Sequence, residues 1–460
     1  MRTQTPHSNH LWFRVALVVA LLAIPLLTVA LLTSTAPGPH RFDTTVDDPW
    51  GYAEGAATMG LTARKNDPLA IEAFFPRESY RPGVTARLQF VTSLAGVKLQ
   101  VFHVGPEWAK TVGDMQMRGV AVTATTPLGR IVAGGSTRIP VGNWPTGLYF
   151  AQLTAPGGRI GYAPFVVTPK RLGQHRVAVV MPTRTWQAYN FRDDDGDGKG
   201  DTWYATLGHF TSRLHRPFLN RGVPPHFRAY DLYFLHWLSR TGKQVDFLSQ
   251  AELDAVRNPA VLRREYDVLV FPGHHEYVTA HEYDAVEGFR NLGGSLVMLS
   301  ADNFMWRIDL DHGVMTRVAK WREIGRPEAA LLGVQYIGND MGEHRGPWLL
   351  RKASATSWLF AKTGVGAGDA FSNAGIEIDH TAPSSPHGTQ VIGELPNLLG
   401  PGLTGQMTYY STSRGAQVFS AGAFSLAGSI RQRPVAQLLE NIWGKFAGTP
   451  ATPLTLETSR

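Results

Sequence analysis

The sequence predicts an α/β fold: a doubly wound parallel sheet, preceded by a small all-β, immunoglobulin-like sandwich and an N-terminal transmembrane helix. Three observations predict it. From Arg176 onward, apolar runs such as "RVAVVMP" and "YDVLVFPG" alternate with amphipathic stretches such as "YDLYFLHWLSRTG" and "TAHEYDAVEGFRNLG", the order of buried strands and crossover helices. Between Pro68 and Thr168, short alternating runs rich in Val, Thr, Phe and Tyr are separated by Gly/Pro turns, the pattern of an antiparallel sandwich. Near the start, an apolar run reaches from about Val15 to Leu32 behind Arg2 and Arg14, with no acidic residue before it.

Each element follows in order. The apolar run is longer than the core of a cleaved signal and approaches the roughly 20 residues of a membrane span. Residues 1–14 are therefore expected in the cytoplasm and 15–33 as a transmembrane helix or uncleaved signal anchor. The rest is expected extracytoplasmic on a cell membrane, or secreted if that helix is cleaved. Residues 34–66 are polar and Pro/Gly-punctuated and read as a linker, 67–169 as the sandwich, 175–447 as the α/β domain and 448–460 as a tail. In a doubly wound sheet the loops after the strands converge on one crevice. Here those loops hold "TRTWQAYN", "GHHEY" and "SADNFMWR". The stretch from about 330 mixes strands such as "QMTYYST" with a closing helix, "PVAQLLENIWGKFAG".

Composition narrows the function. The 460 residues carry a net charge of +7 from scattered Arg, with 18% charged and 43% hydrophobic residues. No basic stripe interleaved with aromatics occurs, which argues against nucleic acid. Cysteine is absent, so disulfides, thiolate metal sites and a cysteine nucleophile are all excluded.

The segment "DDDGDGKGD" sets Asp193, Asp195, Asp197 and Asp201 at relative positions 1, 3, 5 and 9, with Gly198 at 6 and Lys199 at 7. Hard oxygen donors on alternate residues around a glycine turn suit Ca²⁺. An EF-hand would place a bidentate Glu at position 12, where this chain has Tyr204. The expectation is a shortened, structural calcium loop; a solvated acidic turn would use the same residues.

His274 and Glu276 in "GHHEY" lie two apart on an extended segment and face one way. Together they can ligate a metal or act as an acid/base pair, although a rim histidine beside a hydrogen-bonding glutamate is a common structural arrangement. Tyr189, Tyr230, Tyr233 and Asp302 are weaker candidates alone, since rim tyrosines usually pack.

The ordered run of "TWQAYN", "YDLYFLHWLSRTG", "YDVLVFPGHHEYVT", "NLGGSLVMLSADNFMWR", "AGIEIDH" and "QVFSAGAFSLAGSI" resembles the carboxyl-terminal domain of the N,N-dimethylformamidase large (β) subunit family, over about 176 to 447. The resemblance implies a glutamine-amidotransferase-like sheet without its cysteine nucleophile. It also implies a mononuclear non-haem iron held by two tyrosines and a glutamate. Carried over, the glutamate falls on Glu276, the neighbouring histidine on His274, and the tyrosines on Tyr189 and Tyr230, with Tyr233 in reserve. The family's active-site asparagine meets Asp302, with Asn303 beside it, a departure that bears on substrate.

Two function classes follow. One is a membrane-tethered, metal-dependent hydrolase of a linear amide C–N bond, acting on a small-molecule amide, with a possible small partner subunit or homo-oligomer. The other is a non-catalytic module binding glycan or protein on the same fold.

Overall fold

Val177–Met181 is buried at every position, as the unbroken apolar run requires of a strand covered on both faces. It belongs to an 11-stranded sheet in a computed structural model that describes residues 66–448 apart from 108–112, 206–209, 341, 352–357 and 425. The expected transmembrane helix, linker and tail lie outside the described residues, save Asn66 and 448. Among the described residues no helix is long and apolar enough to cross a membrane.

We number the strands of this sheet β1 (Val177–Met181), β2 (Asp246–Ser249), β3 (Val268–Phe271), β4 (Ser295–Met298), β5 (Gln335–Asn339), β6 (Arg345–Leu350), β7 (Ala370–His380), β8 (Gln390–Leu395), β9 (Gly405–Ser411), β10 (Gln417–Ser420) and β11 (Ala423–Phe424). The order is β2-β1-β3-β4-β10-β9-β8-β6-β7-β5, with β11 paired to β7. Contacts from β2 through β10 are parallel. From β10 outward every pairing is antiparallel.

This overturns the expected doubly wound, glutamine-amidotransferase-like fold. The described chain is mostly β, 35% strand against 21% helix, spread over several sheets. The reason lies in residues after about 330, whose strands return through turns and not crossover helices, so they extend the same sheet as an antiparallel wing. The parallel segment is a local feature of a mixed sheet. One of its faces packs Val177, Val179, Val268 and Val270 against Phe234, Leu238, Leu439 and Trp443. The other packs Val180, Leu269 and Met298 against Leu253, Leu262, Tyr283 and Phe289.

Ahead of it stand a 3-stranded and a 6-stranded sheet. Thr85–Phe90 alternates exposed and buried residues, the period of a half-buried strand. Ala86, Leu88 and Ile139 of the smaller sheet share one core with Val101, Tyr149, Ala151 and Phe165 of the larger. The pairing is not wholly antiparallel, since Ser79–Tyr80 runs parallel to Arg159–Val167. A buried Arg184, 1% exposed, ties this region to the large sheet. Its guanidinium meets Glu78 and Asp254 at 3.3 Å each and pairs with Glu282. A further 4-stranded sheet, which includes Tyr277–Val278 and Trp306–Asp311, flanks the loops after β3 and β4.

Candidate active site

The loop after β3 carries Gly273 to Tyr277. Gly273 sits so close to the Asp231 carboxylate that a Cβ there would collide with it. His275 turns inward, its Nε2 2.9 Å from the Val180 carbonyl and its Nδ1 3.2 Å from that of Gly273. This anchor turns His274 and Glu276 to the opposite side, where His274 Nε2 lies 3.4 Å from Glu276 Oε2.

The loop after β4 supplies Asp302, in the left-handed region at φ 50°, which Asp tolerates better than most residues. Its backbone N–H donates to Asp379 Oδ1 of β7 at 2.9 Å, and its carboxylate Oδ2 is 3.7 Å from His274 Nε2. Asn303 is spent on structure. Its Oδ1 accepts from the His275 N–H at 3.3 Å and its Nδ2 donates to the Ser300 carbonyl at 3.0 Å.

Tyr189 ends the helix Thr183–Ala188 that follows β1. Its hydroxyl donates to Glu276 Oε2 at 2.7 Å, so residues 87 apart in sequence meet in one hydrogen bond. Tyr204 joins them, its hydroxyl 2.9 Å from that of Tyr189 and 3.1 Å from Glu276 Oε2, and it is hydrogen-bonded to Tyr277 as well. Glu377 of β7 brings a third carboxylate, its Oε2 3.7 Å from His274 Nε2. Sequence reasoning missed Tyr204 and Glu377. Tyr204 marks in the sequence only the position where an EF-hand would need Glu, and Glu377 lies inside "AGIEIDH" with no local signal of its role.

Tyr230 lies in a π-helical turn, Arg228–Leu232, a widening common at functional positions. Its ring stacks at a tilt on Phe424, whose ring meets His274 edge-on at 4.6 Å between centroids. Tyr233 packs instead near His236 and under Arg431.

Electrostatics follow from burial. Glu276 is 3% exposed, Asp302 3% and His274 6%. Burial pushes the Glu276 carboxyl up to about 7, helped by the Asp302 charge. Burial, with Glu328 nearby, takes Asp302 to about 8, and Glu377 is raised well above its usual range by burial and both other carboxylates. Burial lowers His274 to about 4 against the pull of Glu276. The phenols of Tyr189, Tyr204 and Tyr277 are all raised, by burial first and then by Glu276. His274 Nε2 is buried without a hydrogen-bond partner, and the raised Asp302 and Glu377 carboxyls hydrogen-bond each other. The donor atoms of His274, Glu276 and Asp302 lie within 4.8 Å of one another. A buried ring nitrogen left without a partner is costly, and this oxygen-rich set with its one imidazole is chemically suited to a cation.

The aspartate loop is separate and exposed. Carboxylates of Asp193, Asp195 and Asp197 also cluster within 4.8 Å. Asp193 accepts the N–H groups of Gly196 and Gly198 at 2.7 and 3.0 Å, and Asp197 accepts that of Lys199 at 2.7 Å. The Asp201 carboxylate accepts the Asp194 N–H.

The chain belongs to the family described as N,N-dimethylformamidase beta subunit-like, C-terminal, which matches residues 135–437. At the level of the family this is consistent with an amidohydrolase. No curated protein matches the chain. Among solved structures, the Pseudomonas fluorescens alkylpurine DNA glycosylase AlkC bound to DNA containing an abasic site analog is 15% identical over 21% of this chain and 29% of that one, with a TM-score of 0.14. A Paenibacillus sp. cycloisomaltooligosaccharide glucanotransferase complexed with cycloisomaltoheptaose is 9% identical over 77% of this chain and 68% of that one, with a TM-score of 0.17. Likenesses this slight carry no argument.

Proposed function

We propose that this protein hydrolyses the C–N bond of a linear amide at a cation centred on Glu276, as a membrane-tethered extracytoplasmic enzyme. The supporting observation is the meeting of Tyr189, Glu276, His274, Asp302 and Glu377 in one buried cluster. A mononuclear non-haem iron is the proposed ion, with Glu276, Tyr189 and Tyr230 as the residues that would hold it; phenolate and carboxylate are hard donors suited to it. When bound, such an ion polarises a carbonyl and makes water more acidic.

The chain's own residues supply the rest. His274, neutral and with Nε2 free, takes a proton from the attacking water as oxygen bonds to the carbonyl carbon. That proton then passes to the leaving nitrogen as the C–N bond breaks, which yields an amine and a carboxylic acid. Tyr204, within 3.1 Å of Glu276, holds the carboxylate in place. The Asp193–Asp201 loop is proposed as a structural Ca²⁺ site bracing the segment between Tyr189 and Tyr204.

The test is amine release by the full-length, iron-loaded protein from formamide, acetamide, glycinamide and N,N-dimethylformamide. Activity on at least one is expected, with His274→Ala lowering kcat by about 10²–10⁴ and a tyrosinate-to-iron visible band lost in Glu276→Gln. No release from any of the four, or full activity in His274→Ala, would refute the reading and favour the binding module.

A further inference from the structure

A cavity of about 310 Å³ between the sandwich and the large sheet shares no residue with the Glu276 cluster. Small-molecule sites occupy about 300–1,000 Å³ and favour such boundaries, so this one suits a ligand of one ring. On the sandwich side its floor is aromatic. His103, which ends the strand Leu94–His103, lies flat on Tyr149 with ring centroids 4.5 Å apart, and Trp144 stacks on Tyr149 at 5.4 Å. Glycines make room for this column. A Cβ on Gly147 would come within 2.5 Å of His103 Nε2, and one on Gly142 within 2.5 Å of Trp144 Nε1. The Tyr149 hydroxyl donates to the Pro145 carbonyl at 2.7 Å and pins the turn beside Trp144. Leu235 and Leu238 of the helix Tyr233–Arg240, with Val245 and Phe247 at β2, form an apolar wall on the large-sheet side.

The charge on the lining has one sign. Lys170, Lys243, His103 and His175 border the cavity, and among the described residues no Asp or Glu does. Three of these four are accounted for. Lys243 pairs with Glu440 at 2.8 Å, and His175 Nδ1 lies 2.9 Å from the buried Asp246 carboxylate. Burial takes His103 down to about 4, which leaves it neutral at pH 7. Lys170 is exposed and forms no ion pair among the described residues, and Asn143 and Gln244 add neutral amide donors. One uncompensated cation calls for one negative charge on the ligand. A dianion would bring a charge that nothing in the lining matches, and a neutral polyol would set hydroxyls against the apolar wall. We infer that the cavity binds a small monocarboxylate built on one planar ring, the ring against Trp144 and the carboxylate on Lys170. This site stands or falls independently of the amide-hydrolase reading.

Calorimetric titration of the full-length protein in chelator at pH 7, with benzoate, benzyl alcohol and phenyl phosphate as probes, tests it. Benzoate is expected to bind at least about fivefold more tightly than benzyl alcohol, a difference of about 1 kcal/mol. In Lys170→Ala that preference should fall below about twofold. Trp144→Ala, checked for a native circular dichroism spectrum, should weaken benzoate and benzyl alcohol alike by at least about threefold. Glu276→Gln should leave benzoate affinity unchanged, which separates this cavity from the Glu276 cluster. No heat from benzoate at millimolar concentration overturns the inference, as does equal affinity for benzoate and benzyl alcohol. A preference that survives in Lys170→Ala, or benzoate binding lost in Glu276→Gln, also overturns it. Phenyl phosphate binding more tightly than benzoate overturns the assignment to a monocarboxylate. Benzoate binding that follows Lys170 and Trp144 upholds the site even where no amide is hydrolysed.

Discussion

Glu276 offers a measurable link between burial and stability. In the metal-free protein its carboxyl is raised from an ordinary 4.5 to about 7, chiefly by burial, with Asp302 adding repulsion. A raised acid binds its proton more tightly folded than unfolded. Its contribution to stability is therefore full below pH 4.5 and is lost as pH rises toward 7. At about 1.4 kcal/mol per pH unit, the loss amounts to about 3 kcal/mol at most. Glu276 and Asp302 share their titration, so the part removed by Glu276→Gln should lie at about 1–3 kcal/mol. The assay is chemical denaturation in chelator at pH 5 and pH 8, wild type against Glu276→Gln. The wild type should lose more stability between the two pH values, by that amount. Because Glu282 and Asp231 are also raised by burial, to about 7 and about 8, only the difference between the proteins counts. Equal pH dependence in both, or a wild type that gains on Glu276→Gln from pH 5 to pH 8, would refute the buried-carboxylate argument.

Arg184→Leu should cost about 3–5 kcal/mol in denaturant unfolding, because Glu78, Asp254 and Glu282 would be left without their shared cation. Asp195→Ala should lower the melting temperature in millimolar Ca²⁺ and leave it unchanged in chelator, since an ion that binds only the folded loop stabilises only when present. Equal loss in both conditions would remove the calcium proposal.

How much was legible differs between the elements and the site. The apolar runs at Val177, Val268 and Ser295 were readable as buried strands because every position in them is apolar or small and enclosed on both faces. The direction of the later strands was not. "QMTYYST" and "AGIEIDH" look alike whether they pair parallel or antiparallel, and only turns and hydrogen-bond partners far along the chain decide it. That is why the doubly wound expectation failed.

At the site, "GHHEY" displayed its chemistry locally, because a two-residue spacing on extended chain puts His274 and Glu276 on one side. Local patterning likewise marks the apolar N-terminal run, the aspartate loop and the absence of cysteine. Tyr204 and Glu377 gave no such signal. Their roles come from hydrogen bonds and charges that span 72 residues from Tyr204 to Glu276 and more than a hundred from His274 to Glu377. The sequence by itself determined which side chains could do hydrolytic chemistry, since that depends on residue type and near-neighbour spacing. Tertiary structure alone decided which of them share one buried space, because long-range pairing brings β7 and the β3 and β4 loops together and removes water from the carboxylates between them.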